Sequence, residues 1–74
     1  SVADRLLAGK KIKTLPPDEQ EAVVLDIAQR FFPGKVRTAQ DLAGLRPLKK
    51  GGRERQAIQA EITRLERLSE AETD

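Results

Sequence analysis

From Ala22 onward the apolar residues Val23, Val24, Ile27, Ala28 and Phe31 recur every three or four positions, while Glu21, Asp26, Gln29 and Arg30 fall on the other side. That period belongs to an amphipathic helix with one face on a core. Its start is marked by Leu15-Pro16-Pro17-Asp18-Glu19. The φ angle of Pro17 is preset for a first turn, and the two carboxylates sit at the positive end of the helix dipole. Phe32-Pro33-Gly34 ends the pattern, because a residue before proline avoids the α region and glycine accepts the geometry of a turn. The spacing therefore predicts a helix over 17–32.

A shorter helix follows. Thr38 is placed as its cap, with Asp41 three residues later in an approximate capping box, and Ala39, Leu42, Ala43 and Leu45 form its apolar side. Arg46-Pro47 ends it, Leu48 pins the outgoing chain, and Lys49-Lys50-Gly51-Gly52 reads as a mobile connector. The last helix is predicted from Arg53 to Leu68, with Ala57, Ile58, Ile62 and Leu65 inward and Arg53, Gln56, Gln59 and Arg64 outward. Glu54 and Glu61 lie one turn from Ile58 and Leu65, which interrupts an a/d seam and disfavours a long coiled coil.

The two ends lack such periodicity. Val2 to Ala8 has room for two turns before Gly9 and Lys10-Lys11-Ile12-Lys13 break the pattern, so residues 1–14 read as a labile N-terminal arm. A short edge strand at Lys11–Lys13, paired in a dimer, is the other reading. Residues 69–74 read as a disordered acidic tail. The expected fold class is thus all-α: a small three-helix domain over 15–68 between arm and tail. Its expected core is Leu15, Val23, Val24, Ile27, Ala28, Phe31, Val36, Leu42, Leu45, Ile58, Ile62 and Leu65. For 74 residues that is a thin interior, which self-association as a homodimer or docking on a partner would supplement.

Composition narrows the chemistry. The chain has no cysteine and no histidine, so a disulfide framework, a zinc finger and a histidine general base are excluded. Two serines and four threonines stand without a base beside them, and the carboxylate pairs Asp18/Glu19 and Glu70/Glu72 lie at a helix start and in the tail rather than in a pocket. No enzyme activity, cofactor or metal is expected. No run approaches the roughly 20 apolar residues of a membrane span, and Ser1-Val2-Ala3-Asp4-Arg5 lacks the basic and apolar regions of a signal peptide. The expectation is a cytoplasmic protein without membrane contact. The missing initial methionine and the linker-like ends also fit a fragment of a longer chain.

Charge is uneven. The net +2 conceals seven basic residues between positions 35 and 55 against only Asp41 and Glu54, and three acids without a base in the last five positions. Such a basic segment is the footprint of a phosphate backbone or an acidic partner surface, or else a solvated loop. Lys49-Lys50-Gly51-Gly52-Arg53 sets lysines and backbone amides before a helix, as a phosphate site or a flexible linker would. It lacks the upstream glycine and the Lys-Ser/Thr pair of a P-loop. The two adjacent aromatics, Phe31 and Phe32, do not make a base-stacking surface. Phe31 continues the Ile27 stripe as a core residue, and Phe32 is either a lid on the core or an exposed anchor.

Val36-Arg37-Thr38-Ala39-Gln40-Asp41-Leu42-Ala43 resembles the first helix of a helix-turn-helix unit, and the stripe Ile58, Ile62, Leu65 and Glu66 resembles that of a recognition helix. The resemblance to helix-turn-helix DNA-binding domains covers residues 15–68. Its connector, Leu45–Gly52, is longer than the family's usual turn, and there is no β-wing after Leu68. The resemblance implies that Arg53, Arg55, Gln56, Gln59 and Thr63 face a DNA groove with Arg53 and Lys50 at its phosphate edge.

The expected function is accordingly a non-catalytic nucleic-acid-binding regulator, with duplex DNA the first candidate partner. Lys35, Arg37, Lys49, Lys50, Arg53 and Arg55 would supply phosphate contacts, and Gln56 and Gln59 sequence preference. The alternative is a small helical adaptor or inhibitor that binds a larger protein through an apolar patch of Leu6, Leu7, Phe32, Leu48 and Leu68.

Overall fold

The longest apolar stripe becomes helix α2, Pro17–Phe31, in the computed structural model, which describes residues 1–44 and 52–68. Pro17 occupies the first turn, and the Gln20 side chain reaches back to donate to the Leu15 carbonyl at 2.9 Å. Val23, Ile27 and Ala28 are fully buried. Among the described residues three further helices pack around it: α1 (Val2–Leu7), α3 (Ala39–Gly44) and α4 (Arg53–Arg67). A 3-10 turn at Ile12–Thr14 links α1 to α2, and the described residues contain no strand. The protein is all-α, as the periodicity predicts.

Residues 1–14 differ from the labile arm expected of them. Helix α1 buries Ala3 and Leu7 completely and packs against both α2 and α4. Six residues are too few for a stable helix in water, so α1 depends on contacts from outside itself. Two of them satisfy its first amides: the Ser1 Oγ accepts from the Asp4 amide at 3.3 Å, and the Asp26 carboxylate of α2 accepts from the Ala3 amide at 3.0 Å. The chain leaves α1 through Ala8, which holds the left-handed conformation at φ 45° and ψ 43° and donates its amide to the Asp4 carbonyl. Gly9 follows at φ 84°. Gly34, by contrast, is not in a positive-φ conformation, so the turn after α2 does not depend on its being glycine. At Ile12–Thr14 the chain forms a 3-10 turn instead of an edge strand, and the Ile12 amide donates to the Glu66 carboxylate at 2.8 Å. This bond ties the start of the turn to the far end of α4.

Helix α3 begins with the capping box expected from its sequence. The Asp41 amide donates to the Thr38 Oγ1 at 3.3 Å, and the Asp41 carboxylate accepts from the Thr38 and Arg37 amides at 3.2 and 3.0 Å. The reciprocal bonds satisfy donors that the helix itself leaves open. Helix α3 packs on α2, whereas α4 rests mainly on α2 and α1.

Nine of the twelve expected core residues are buried, namely Leu15, Val23, Ile27, Ala28, Val36, Leu42, Ile58, Ile62 and Leu65. Val24 is half-buried at the edge of this cluster, and Leu45 lies outside the described residues. Phe31 is not core: it is 42% exposed, and Phe32 packs against the interior in its stead. The two rings meet edge-on, with centroids 6.3 Å apart. Phe31 is the last residue of α2, where the stripe has no further neighbour to meet and the chain turns away through Pro33. The described residues of the apolar patch expected of an adaptor lie partly in the interior and partly at its edge. Leu7 is fully buried, and Leu6, Phe32 and Leu68 lie against the core; Leu48 is outside the described residues. The acidic tail, residues 69–74, is also outside them. No helix among the described residues is long and apolar enough to cross a membrane.

Candidate functional site

Helix α4 carries Arg53, Arg55, Arg64 and Arg67 against Glu54, Glu61 and Glu66, a nearly balanced set. The fold separates the two signs. Ile58, Ile62 and Leu65 point into the core, and the helical period then places Glu54 and Glu61 along one flank of that buried face and Glu66 along the other. All three carboxylates are engaged by the rest of the domain. Glu54 pairs with Lys35 Nζ at 3.8 Å, Glu61 faces Arg30 Nη2 at 3.6 Å, and Glu66 accepts the Ile12 amide.

Glu61 is the hub of the α2–α4 seam. Arg64 grips it with two bonds, Nε to Oε1 at 2.8 Å and Nη2 to Oε2 at 2.7 Å. The hydrogen bonding to Arg64, together with the positive charges of Arg64 and Arg30, holds the Glu61 carboxyl below the ordinary glutamate range, against an opposing effect of burial. The same pairing raises the Arg64 guanidinium. Arg30 also lies 3.8 Å from Asp26, the residue that accepts from the first turn of α1.

With its acids turned inward or sideways, the outer face of α4 is left to Arg53, Gln56, Ala60 and Arg67, all exposed. Beside them Arg55, Gln56, Gln59, Ala60 and Thr63 line an open hollow of about 340 Å³ that contains no acidic side chain. The Gln59 side-chain amide donates to Thr63 Oγ1 at 3.4 Å, which aligns two hydrogen-bonding groups along the hollow.

The eight residues expected to contact nucleic acid are therefore distributed as follows. Arg53, Arg55, Gln56 and Gln59 share the first two turns of α4 and are exposed. Lys35 is brought beside the first turn of α4, and its charge is partly met there by Glu54. Arg37 is exposed at the start of α3, held through its backbone: its carbonyl accepts from the Gln29 side chain at 2.6 Å and its amide donates to Asp41. Lys49 and Lys50 lie outside the described residues.

Sequence reading passed over Lys10, Lys11 and Lys13. All three are exposed, and none forms an ion pair with an acidic side chain among the described residues. Their signal in the sequence is three lysines in four positions, hidden by the expectation that the segment is a loose arm.

A second depression, of about 320 Å³, opens between the 3-10 turn, the start of α2 and α3. Its walls include Ile12, Pro17, Val24, Ala39 and Leu42, with Gln20 and Glu21 at the α2 side. It has no pair of titratable groups suited to acid-base work, and the described residues contain no cluster of three or more metal-ligating side chains.

No family model, curated protein or solved structure matches the chain.

Proposed function

We propose that the protein is a non-catalytic nucleic-acid-binding module that presents the outer face of α4 to a duplex. The observation that carries this reading is the separation of charge on α4. Its three glutamates are engaged by the domain, whereas Arg53, Gln56, Gln59 and Arg67 face solvent. A helix that spends its acids on its own fold and exposes arginine and amide side chains suits a polyanion with hydrogen-bonding base edges. In this reading α4 takes the part that the helix-turn-helix resemblance gives to a recognition helix, with α2 rather than α3 as its main support. Phosphate contacts in this reading fall to Arg53 and Lys35, which lie at the α4 start, and to Arg37, Lys49 and Lys50, and base contacts fall to Arg55, Gln56 and Gln59.

Titration of a labelled duplex by fluorescence anisotropy at several salt concentrations tests the assignment. Removing one phosphate-binding cation should reduce the slope of log affinity against log salt by about 0.9. The Lys49→Ala/Lys50→Ala/Arg53→Ala variant should therefore flatten the slope by about 2.7 and weaken binding evenly across sequences. Gln56→Ala or Gln59→Ala should instead change the ranking of sequences. A triple variant that binds as tightly as the parent, with the same slope, would overturn the assignment.

A further inference from the structure

The lysines of the 3-10 turn do not lie at random with respect to α4. The Ile12 amide donates to Glu66 at 2.8 Å, so Lys10, Lys11 and Lys13 flank a backbone position fixed to the last turn of the helix. Glu66 is two turns beyond Gln59, on the same row of α4, because positions seven apart in a helix nearly superimpose along its axis. The turn therefore sits at the far end of the row that contains Gln59, and the exposed Arg67 follows Glu66 directly. From Arg53 to Arg67 the helix rises about 21 Å at about 1.5 Å per residue. Arg53 and the turn lysines thus stand at opposite ends of α4, on opposite edges of its polar face.

We infer that Lys10, Lys11 and Lys13 form a second backbone clamp, which with the cations at the α4 start grips one duplex at two points along its length. This rests on the proposed nucleic-acid binding and extends it to a specific partner geometry. A mononucleotide cannot span the two ends. A duplex can, since about 21 Å corresponds to about six base pairs at 3.4 Å each. A lipid surface is the poorer fit: membrane-binding segments interleave their basic residues with apolar ones that insert. Here Ile12 and Leu15, the apolar residues of this stretch, pack with the core.

The test compares the parent, Lys10→Ala/Lys11→Ala/Lys13→Ala and Lys10→Arg/Lys11→Arg/Lys13→Arg on DNA hairpins with stems of about 5 and about 12 base pairs, with far-UV circular dichroism confirming the fold of each. The alanine variant should lose about 2.7 from the salt slope on the long stem, whereas the arginine variant keeps the parent slope. The parent should gain at least tenfold in affinity from the short stem to the long one, and the alanine variant should lose most of that gain. If the parent binds in a salt-dependent way and the alanine variant retains both its slope and its length dependence, the clamp is refuted while binding through α4 stands. If the parent does not bind duplex at all, both fall together.

Discussion

Leu7 provides the sharpest test of the packing. It is fully buried, on a helix that packs against α2 and α4, in a segment that sequence periodicity alone assigns to a loose arm. Replacing a fully buried leucine by alanine removes its transfer free energy and leaves a cavity, which together cost about 2.7–5.0 kcal/mol. A domain of 74 residues has a total stability of about 4–11 kcal/mol at the usual 0.05–0.15 kcal/mol per residue. Leu7→Ala should thus consume about a quarter or more of the whole. With no tryptophan or tyrosine in the chain, urea unfolding is best followed by far-UV circular dichroism. At a slope of about 1 kcal/mol per molar urea, the midpoint should fall by about 3–5 M, or the variant should be unfolded before urea is added. Lys10→Ala, three positions on and exposed, should stay within about 0.5 kcal/mol of the parent. A Leu7→Ala midpoint equally close to the parent would mean that α1 contributes nothing to the interior and that the core closes without it.

Two further outcomes follow from local geometry. Ala8 sits at φ 45°, where an L side chain costs about 1–2 kcal/mol; Ala8→Gly relieves this at an entropic cost of about 0.5–1 kcal/mol. A net gain of up to about 1.5 kcal/mol should raise the urea midpoint, and a lower midpoint would contradict the backbone assignment. For Glu61 the folded-state pKa is depressed, so its stabilising effect is present above the ordinary glutamate value and is lost as pH falls through the folded one. Between about pH 5 and pH 3 the parent should lose stability more steeply than Glu61→Gln, which should already be the less stable at neutral pH. Parallel pH profiles would show that the Arg30–Glu61–Arg64 cluster is not coupled to folding.

The parts of this architecture visible in the sequence are those that depend on near neighbours. The periods of α2 and α4 identify their buried faces, and the Thr38–Asp41 capping box is complete within four residues. What escapes is set by residues far along the chain. Helix α1 has six residues, too few to show a period, and its burial is decided by Asp26 and the α4 face that it meets. Phe31 carries the right spacing but sits where the helix runs out, so the interior takes Phe32 instead. At the candidate site, the helical wheel already places Gln56 and Gln59 outward. It cannot show that Glu54 will meet Lys35, or that Glu66 will be taken by the Ile12 amide 54 positions earlier. Those partnerships turn a nearly balanced helix into a cationic surface, and they expose the turn lysines as its neighbours.

The bond between Ile12 and Glu66 also bears on how the chain matures as it is made. Leu7 and Val23 are made first, and the residues that complete their enclosure, Ile62 and Leu65, are synthesised dozens of codons later. Until then the nascent segment must carry uncovered leucine and valine side chains. Cooperative folding of this domain therefore waits until α4 has been made and can close over them.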